Sequence, residues 1–224
     1  MLYNKELSLD EIKSNYESLL QIIELFKDNK DRYEKIIQLY TDLEEQIAMA
    51  PASSLKQFHG SYPGGYVVHI LNVIKFSTKI YGFWESMGGR INDFTQEELV
   101  FSAMFHDLGK IGEKGTDYYI KNESEWHREN QGKLYNINPA LKNMPHSERS
   151  LYMLQKYGIT VSDNEYIAIR SHDGPGVDLN KTYWDPHFDK SRDFRNNLPI
   201  IIHMADFMAY RIEMEQEGIL DFEN

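Results

Sequence analysis

Apolar residues recur at three- and four-residue intervals through most of this chain, the period of helices with one buried face. Ile12, Tyr16, Leu19, Leu20, Ile23 and Phe26 form the first stripe, and Ser8 with Glu11 has capping-box spacing at its start. Lys27-Asp28-Asn29-Lys30 interrupts the pattern. A second stripe, Tyr33, Ile36, Ile37, Tyr40, Leu43 and Ile47, runs until Pro51 stops it. The spacing predicts a helical hairpin over residues 1–50. Its stripes suit packing on the rest of the chain or on a second copy in a homodimer, and they carry no catalytic group.

Beyond a loop ending in Tyr62-Pro63-Gly64-Gly65, the paired glycines allow a tight turn and a close backbone approach. The next helix, from Tyr66 to about Tyr81, is nearly all apolar and carries His69. Thr95 with Glu98 opens another apolar helix, which runs into Phe105-His106-Asp107-Leu108-Gly109-Lys110. Residues 112–143 are the least regular part, with Tyr118, Tyr119, Trp126, His127 and Tyr135 scattered among polar groups. A helix is expected from Ser147 to Tyr157, ended by Gly158, and Ser162 with Glu165 caps a shorter one leading to His172-Asp173-Gly174. After a second irregular stretch, 174–197, Asn197 is placed to cap a helix with Pro199 in its first turn and Asp206 on its buried face. The length and aromatics of the two irregular stretches suit a lid over substrate. Alternating strand patterns are nearly absent and no repeat or linker divides the chain. The expectation is an all-α fold, with the hairpin preceding one main domain over residues 51–224.

Composition narrows the chemistry. The 224 residues carry a formal charge of −11, which argues against a broad grip on duplex DNA or an acidic membrane. It leaves room for a local basic pocket holding one nucleotide or a short single strand. There are no cysteines, so any metal must be held by nitrogen and oxygen. No apolar run approaches the ~18 residues of a membrane span, and the first residues lack a signal core, so a cytoplasmic location is expected.

Against this background His69, His106 with Asp107, and Asp206 are out of place, because each lies inside an apolar helix. Singly, a helical histidine reads as a hydrogen-bonded core residue and a buried aspartate as a cap or a pair partner. Together, on separate helices, they read as nitrogen and carboxylate donors projecting into a bundle, the way bundles build metal sites.

Five ordered motifs extend the pattern: Gly64-Gly65 before His69, His106-Asp107-Leu108-Gly109-Lys110, Pro145-His146, Ser171-His172-Asp173-Gly174 and His203-Met204-Ala205-Asp206. Over roughly residues 60–212 they resemble the HD-domain superfamily of metal-dependent phosphohydrolases, a helical family. The likeness is to its extended dinuclear type, found also in small phage-encoded HD proteins. The resemblance implies that His69, His106, Asp107 and Asp206 hold one metal and that His146 and His172 hold a second, with Asp107 bridging. It implies iron or manganese first, with cobalt, nickel or zinc as alternatives. Two such ions polarise a phosphoryl group and produce hydroxide near neutral pH. Lys110 would contact phosphate and, with Asp107, serve catalysis. The expected substrate is a small phosphorylated molecule: a nucleotide, a cyclic dinucleotide or a short oligonucleotide. A diiron oxygenase of the same fold uses the same ligands, and a non-catalytic metal- or nucleotide-binding module is a third reading.

Other residues are open to two readings. Arg149 is a candidate anion ligand or a solvated helix residue, and Lys110 is also placed to face a helix dipole. His203, three residues before Asp206, is placed to orient that carboxylate. His59 is a candidate for the mouth of the site, His127 for a substrate loop and His187 for the surface. Tyr62, Trp126 and Trp184 either stack a base or pin their loops.

Overall fold

The structure, a computed structural model, describes residues 6–184 and 194–220. Helices account for most of it: α1 (Leu9–Ile23), α2 (Lys30–Asp42), α3 (Glu44–Met49), α4 (Gly65–Ser86), α5 (Gln96–Phe105), α6 (Glu125–Gln131), α7 (His146–Lys156), α8 (Asp163–Ser171), α9 (Lys181–Trp184) and α10 (Leu198–Gln216). The long apolar α4 lies at the centre, packed on α10, α5, α1 and α3, and α8 fills the angle between α5 and α10. One apolar cluster runs through the molecule, from Leu19, Ile23, Phe26 and Leu39 to Val73, Phe101, Phe105, Ile169 and Ile201. Phe26 meets Phe101 edge to face, and Arg32 lies over the Phe101 ring while pairing with the buried Glu165 at 2.6 Å.

The capping boxes at Ser8, Thr95 and Ser162 are formed as their spacing predicts, each with reciprocal side-chain and backbone hydrogen bonds. Elsewhere the elements depart from the sequence pattern. The second apolar stripe is two helices, because the chain turns at Leu43; the bonds Leu43 N–H to Leu39 O and Ile47 N–H to Leu43 O persist through the bend. Helix α4 continues past Tyr81 to Ser86, since Gly82 faces open space and a helix tolerates one glycine for about 1 kcal/mol. At the start of α10 the side-chain cap comes from Asn196, whose Oδ1 accepts from Leu198 N–H at 2.9 Å. Asn197 instead donates its amide to the Arg90 carbonyl.

Residues 112–143 are more ordered than their composition suggests. Strands β1 (Gly112–Glu113) and β2 (Thr116–Asp117) pair antiparallel, and β3 (Tyr119–Lys121) pairs with β4 (Tyr135–Ile137) around α6. Strands this short carry no alternation for a periodicity argument to detect. No helix among the described residues is long and apolar enough to cross a membrane.

Candidate metal centre

Helices α5 and α8 are built alike. Each starts with a capping box, and the carboxylate of Glu98 ties the two starts together by accepting from Thr95 N–H and from the Ser162 hydroxyl at 2.6 Å. Each ends at a buried histidine, His106 or His172, which an aspartate follows. In both, ring Nδ1 faces the carbonyl three residues earlier, Ala103 or Ile169, at 2.8 Å. A carbonyl only accepts, so Nδ1 carries a proton and Nε2 points inward.

Other helices bring the remaining groups. Gly65 lets α4 start hard against the preceding loop, since a Cβ there would lie 2.2 Å from the Gly60 carbonyl, and His69 follows one turn later. The short 3-10 turn Leu108–Lys110 is pressed against α7, where a Cβ on Gly109 would lie 2.1 Å from the His146 carbonyl. Ser150 closes this contact: its hydroxyl accepts from Gly109 N–H at 2.8 Å and lies 3.0 Å from the carbonyls of both His106 and His146.

Asp107 sits between two sets of imidazoles and is 1% exposed. Its Oδ2 faces His106 Nε2 at 3.6 Å and His69 Nε2 at 3.9 Å, and Asp206 Oδ1 completes that side at 3.1 Å from His69 Nε2. Its Oδ1 faces His146 Nε2 and His172 Nε2, each at 3.5 Å. Those two nitrogens are 3.3 Å apart, and Asp173 lies beside both. Lys110 Nζ donates to Asp107 Oδ2 at 2.6 Å. Among the described residues four groups of donor atoms, His69–His106–Asp206, His106–Asp107–His172, His146–His172–Asp173 and, behind His69, His59–His69–Glu213, each fall within 4.8 Å. The structure therefore brings together all six residues expected as ligands, together with Lys110.

The electrostatics are those of a cluster rich in carboxylate charge that could hold a cation. Burial opposes charge on His106 and takes its pKa down to about 4, even with Asp107 beside it. On His69 burial also opposes charge, but Glu213 and Asp206 outweigh it and raise the pKa to about 10. On His172, Asp173 and Asp107 likewise outweigh burial, raising it to about 9. Burial works against the Asp107 carboxylate, yet Lys110 and His106 hold its pKa well below the usual range. Two buried atoms that face inward, His106 Nε2 and Asp107 Oδ1, have no hydrogen-bond partner. Unpartnered buried donors of this kind fit a metal ion, which needs those lone pairs.

No family model, curated protein or solved structure matches this chain.

Several expected residues lie elsewhere or act differently. Arg149 is buried rather than solvated: it donates to the Lys142 carbonyl, faces Glu113 at 3.5 Å and lies near the Tyr118 ring. No contact joins it to the imidazoles among the described residues. His203 does not orient Asp206; its Nδ1 bonds the His172 carbonyl at 2.8 Å and its ring packs on Trp184. Trp184 donates to the Ser171 carbonyl and Tyr62 donates to Glu217, so both pin structure. Trp126 and His127 are exposed, while His187 lies outside the described residues.

Two contributors were not expected, and a third takes a different place. Glu213 is buried, accepts from His69 Nδ1 at 3.0 Å and is held by the Asn72 amide at 2.7 Å, so it fixes His69 with Nε2 inward. It stands seven residues after Asp206, two turns along the same face of α10, which was the available signal. Asp173 repeats after His172 the place that Asp107 holds after His106. His59, expected at the mouth, is instead buried with its ring 4.5 Å from that of His69, and burial takes its pKa down to about 3.

Proposed function

We propose that this chain is an HD-type metal-dependent phosphohydrolase acting on a nucleotide, cyclic dinucleotide or short oligonucleotide. One observation carries the reading: a buried carboxylate, Asp107, turns one oxygen to each of two imidazole sets with a lysine at its side. His69, His106, Asp107 and Asp206 would hold one divalent ion. His146 and His172, with Asp107 and within reach of Asp173, would hold another. When bound, such ions polarise a phosphoryl group and acidify water near it. An all nitrogen-and-oxygen donor set favours iron or manganese, and it also accepts cobalt, nickel or zinc.

The chain's own groups do the rest. Lys110 stays charged because Asp107 raises its pKa against the effect of burial, so it meets a phosphoryl oxygen as a cation and stabilises charge that grows there. Outward hydrogen bonds at Nδ1 fix His69, His106 and His172 before anything binds. Asp206, His146, Asp173 and Lys110 are the partly exposed members, so substrate approaches from their side. The net charge of −11 favours a small soluble ester over a long polymer.

The test combines metal analysis of purified protein with phosphate or mononucleotide release, screened over nucleotides, cyclic dinucleotides and short oligonucleotides with manganese, iron, cobalt and magnesium. Bound metal with release from one substrate class is the expected result. Protein that binds no metal overturns it. Bound iron with dioxygen uptake and no release would instead make it an oxygenase.

A further inference from the structure

Lys110 has a second environment. It also lines a cleft of about 160 Å³, together with Tyr118, Tyr119 and Tyr135 and, from α3 and β2, Gln46 and Asp117. At roughly 30 Å³ for each water, this is space for about five waters, too small for a chain of residues but suited to a flat ring system. The β3–β4 pair arranges the aromatic wall. Tyr119 is opposite Ile137 and Lys121 is opposite Tyr135, which makes Tyr119 and Tyr135 diagonal neighbours across the sheet, with centroids 6.3 Å apart. Tyr118 meets Tyr119 edge to face at 4.8 Å. Gln46 donates its side-chain amide to Asp117 Oδ1 at 3.4 Å, and the second amide hydrogen and the other carboxylate oxygen supply a donor and an acceptor in the lining.

We propose that this tyrosine-lined cleft seats the aromatic base of a nucleoside phosphate whose phosphoryl group lies at Lys110. The proposal rests on the phosphohydrolase reading and adds the part of the substrate that the buried imidazoles cannot recognise. A base offers π-faces to the tyrosine rings and edge donors and acceptors to Gln46 and Asp117, whereas a sugar phosphate or aliphatic ester offers no ring to stack. Lys110 belongs to both the cleft and the carboxylate cluster, so it fixes where base recognition ends and phosphoryl chemistry begins.

The experiment is calorimetric binding of the methylenephosphonate analogue of adenosine 5′-monophosphate, which cannot lose its phosphoryl group. The methylenephosphonate analogue of ribose 5-phosphate serves as the base-free control. Wild-type protein should bind the nucleotide analogue at least about fivefold more tightly than the control, the lower end of stacking on one ring. Tyr119→Leu should remove that ratio while leaving the base-free affinity unchanged, which also shows that the variant is folded. Tyr119→Phe keeps a ring and should keep the ratio. Equal binding of the two analogues by wild type, or an undiminished ratio in Tyr119→Leu, overturns the base seat. Failure of the phosphohydrolase reading shows differently: no substrate releases phosphate, yet the ring-dependent ratio remains and still supports the seat.

Discussion

Leu39 on α2 and Asp107 at the end of α5 are removed from solvent to nearly the same degree, at 0% and 1% exposure. Leu39 belongs to the apolar cluster with Ile23, Phe26 and Ile36, and burial by itself stabilises it there. Around Asp107 they are imidazoles and a second carboxylate, and burial by itself opposes the arrangement. Glu165 shows what a buried carboxylate looks like when the fold neutralises it internally: Arg32 reaches it directly, from a helix more than a hundred residues away in sequence. Asp107 has Lys110 on Oδ2, while Oδ1 faces the His146 and His172 nitrogens at 3.5 Å and makes no hydrogen bond. The comparison separates a buried charge that serves the fold from one left open to something from outside.

Substituting Asp107 by Ala should have the largest effect, because it removes the one carboxylate that faces both imidazole sets. Metal affinity should fall by more than about a hundredfold, beyond what loss of an outer hydrogen-bond partner gives. Metal analysis after dialysis measures it, and retention of the full metal content by the variant would overturn the cluster as the binding site. Leu39→Ala is the counterpart on the other side of the comparison. It should lose about 2–5 kcal/mol in urea unfolding while the folded variant keeps its metal. A Leu39→Ala protein that is folded but metal-free would show that the two regions do not act separately.

Glu213→Ala comes next. Loss of the carboxylate that orients His69 should weaken metal binding about 10- to 100-fold, with Glu213→Gln intermediate because its amide oxygen still accepts from Nδ1. Titration of metal-depleted protein reads the difference, and unchanged affinity in both variants would leave Glu213 a purely structural residue. This residue also marks how far the sequence was legible. His69, His106, Asp107 and Asp206 stood out because they interrupt apolar helices, and His146 and His172 because they sit in motifs. Glu213 stands among Arg211, Glu215 and Glu217, where a carboxylate does not stand out, though its spacing from Asp206 was visible. The tyrosine cleft was out of reach altogether. It needs Gln46 to meet Asp117, seventy-one positions later, and strands too short to show a period. The turn at Leu43 was equally hidden, since neither glycine nor proline marks it. Local capping was read well because it depends on residues three apart, and long-range packing was not.

The smallest effect concerns the tie between the two histidine-bearing helices. Burial favours the neutral acid of Glu98, but hydrogen bonds from Ser162, Thr95 and Asn164 outweigh it and lower its pKa below the ordinary 4.5. The ionised form is therefore the one the fold prefers. Its stabilisation is fully present above pH 4.5 and is lost as pH falls through the lowered folded value. Glu98→Gln should be less stable than wild type by about 1 kcal/mol at neutral pH, the usual scale of a cap interaction. That gap should close as pH falls below the carboxylate range. Unfolding is best followed on metal-depleted protein in chelator, because acid also strips metal from imidazoles and would add a second pH dependence. A gap that stays constant with pH would mean that Glu98 contributes through packing rather than charge, and that the starts of α5 and α8 are joined by shape alone.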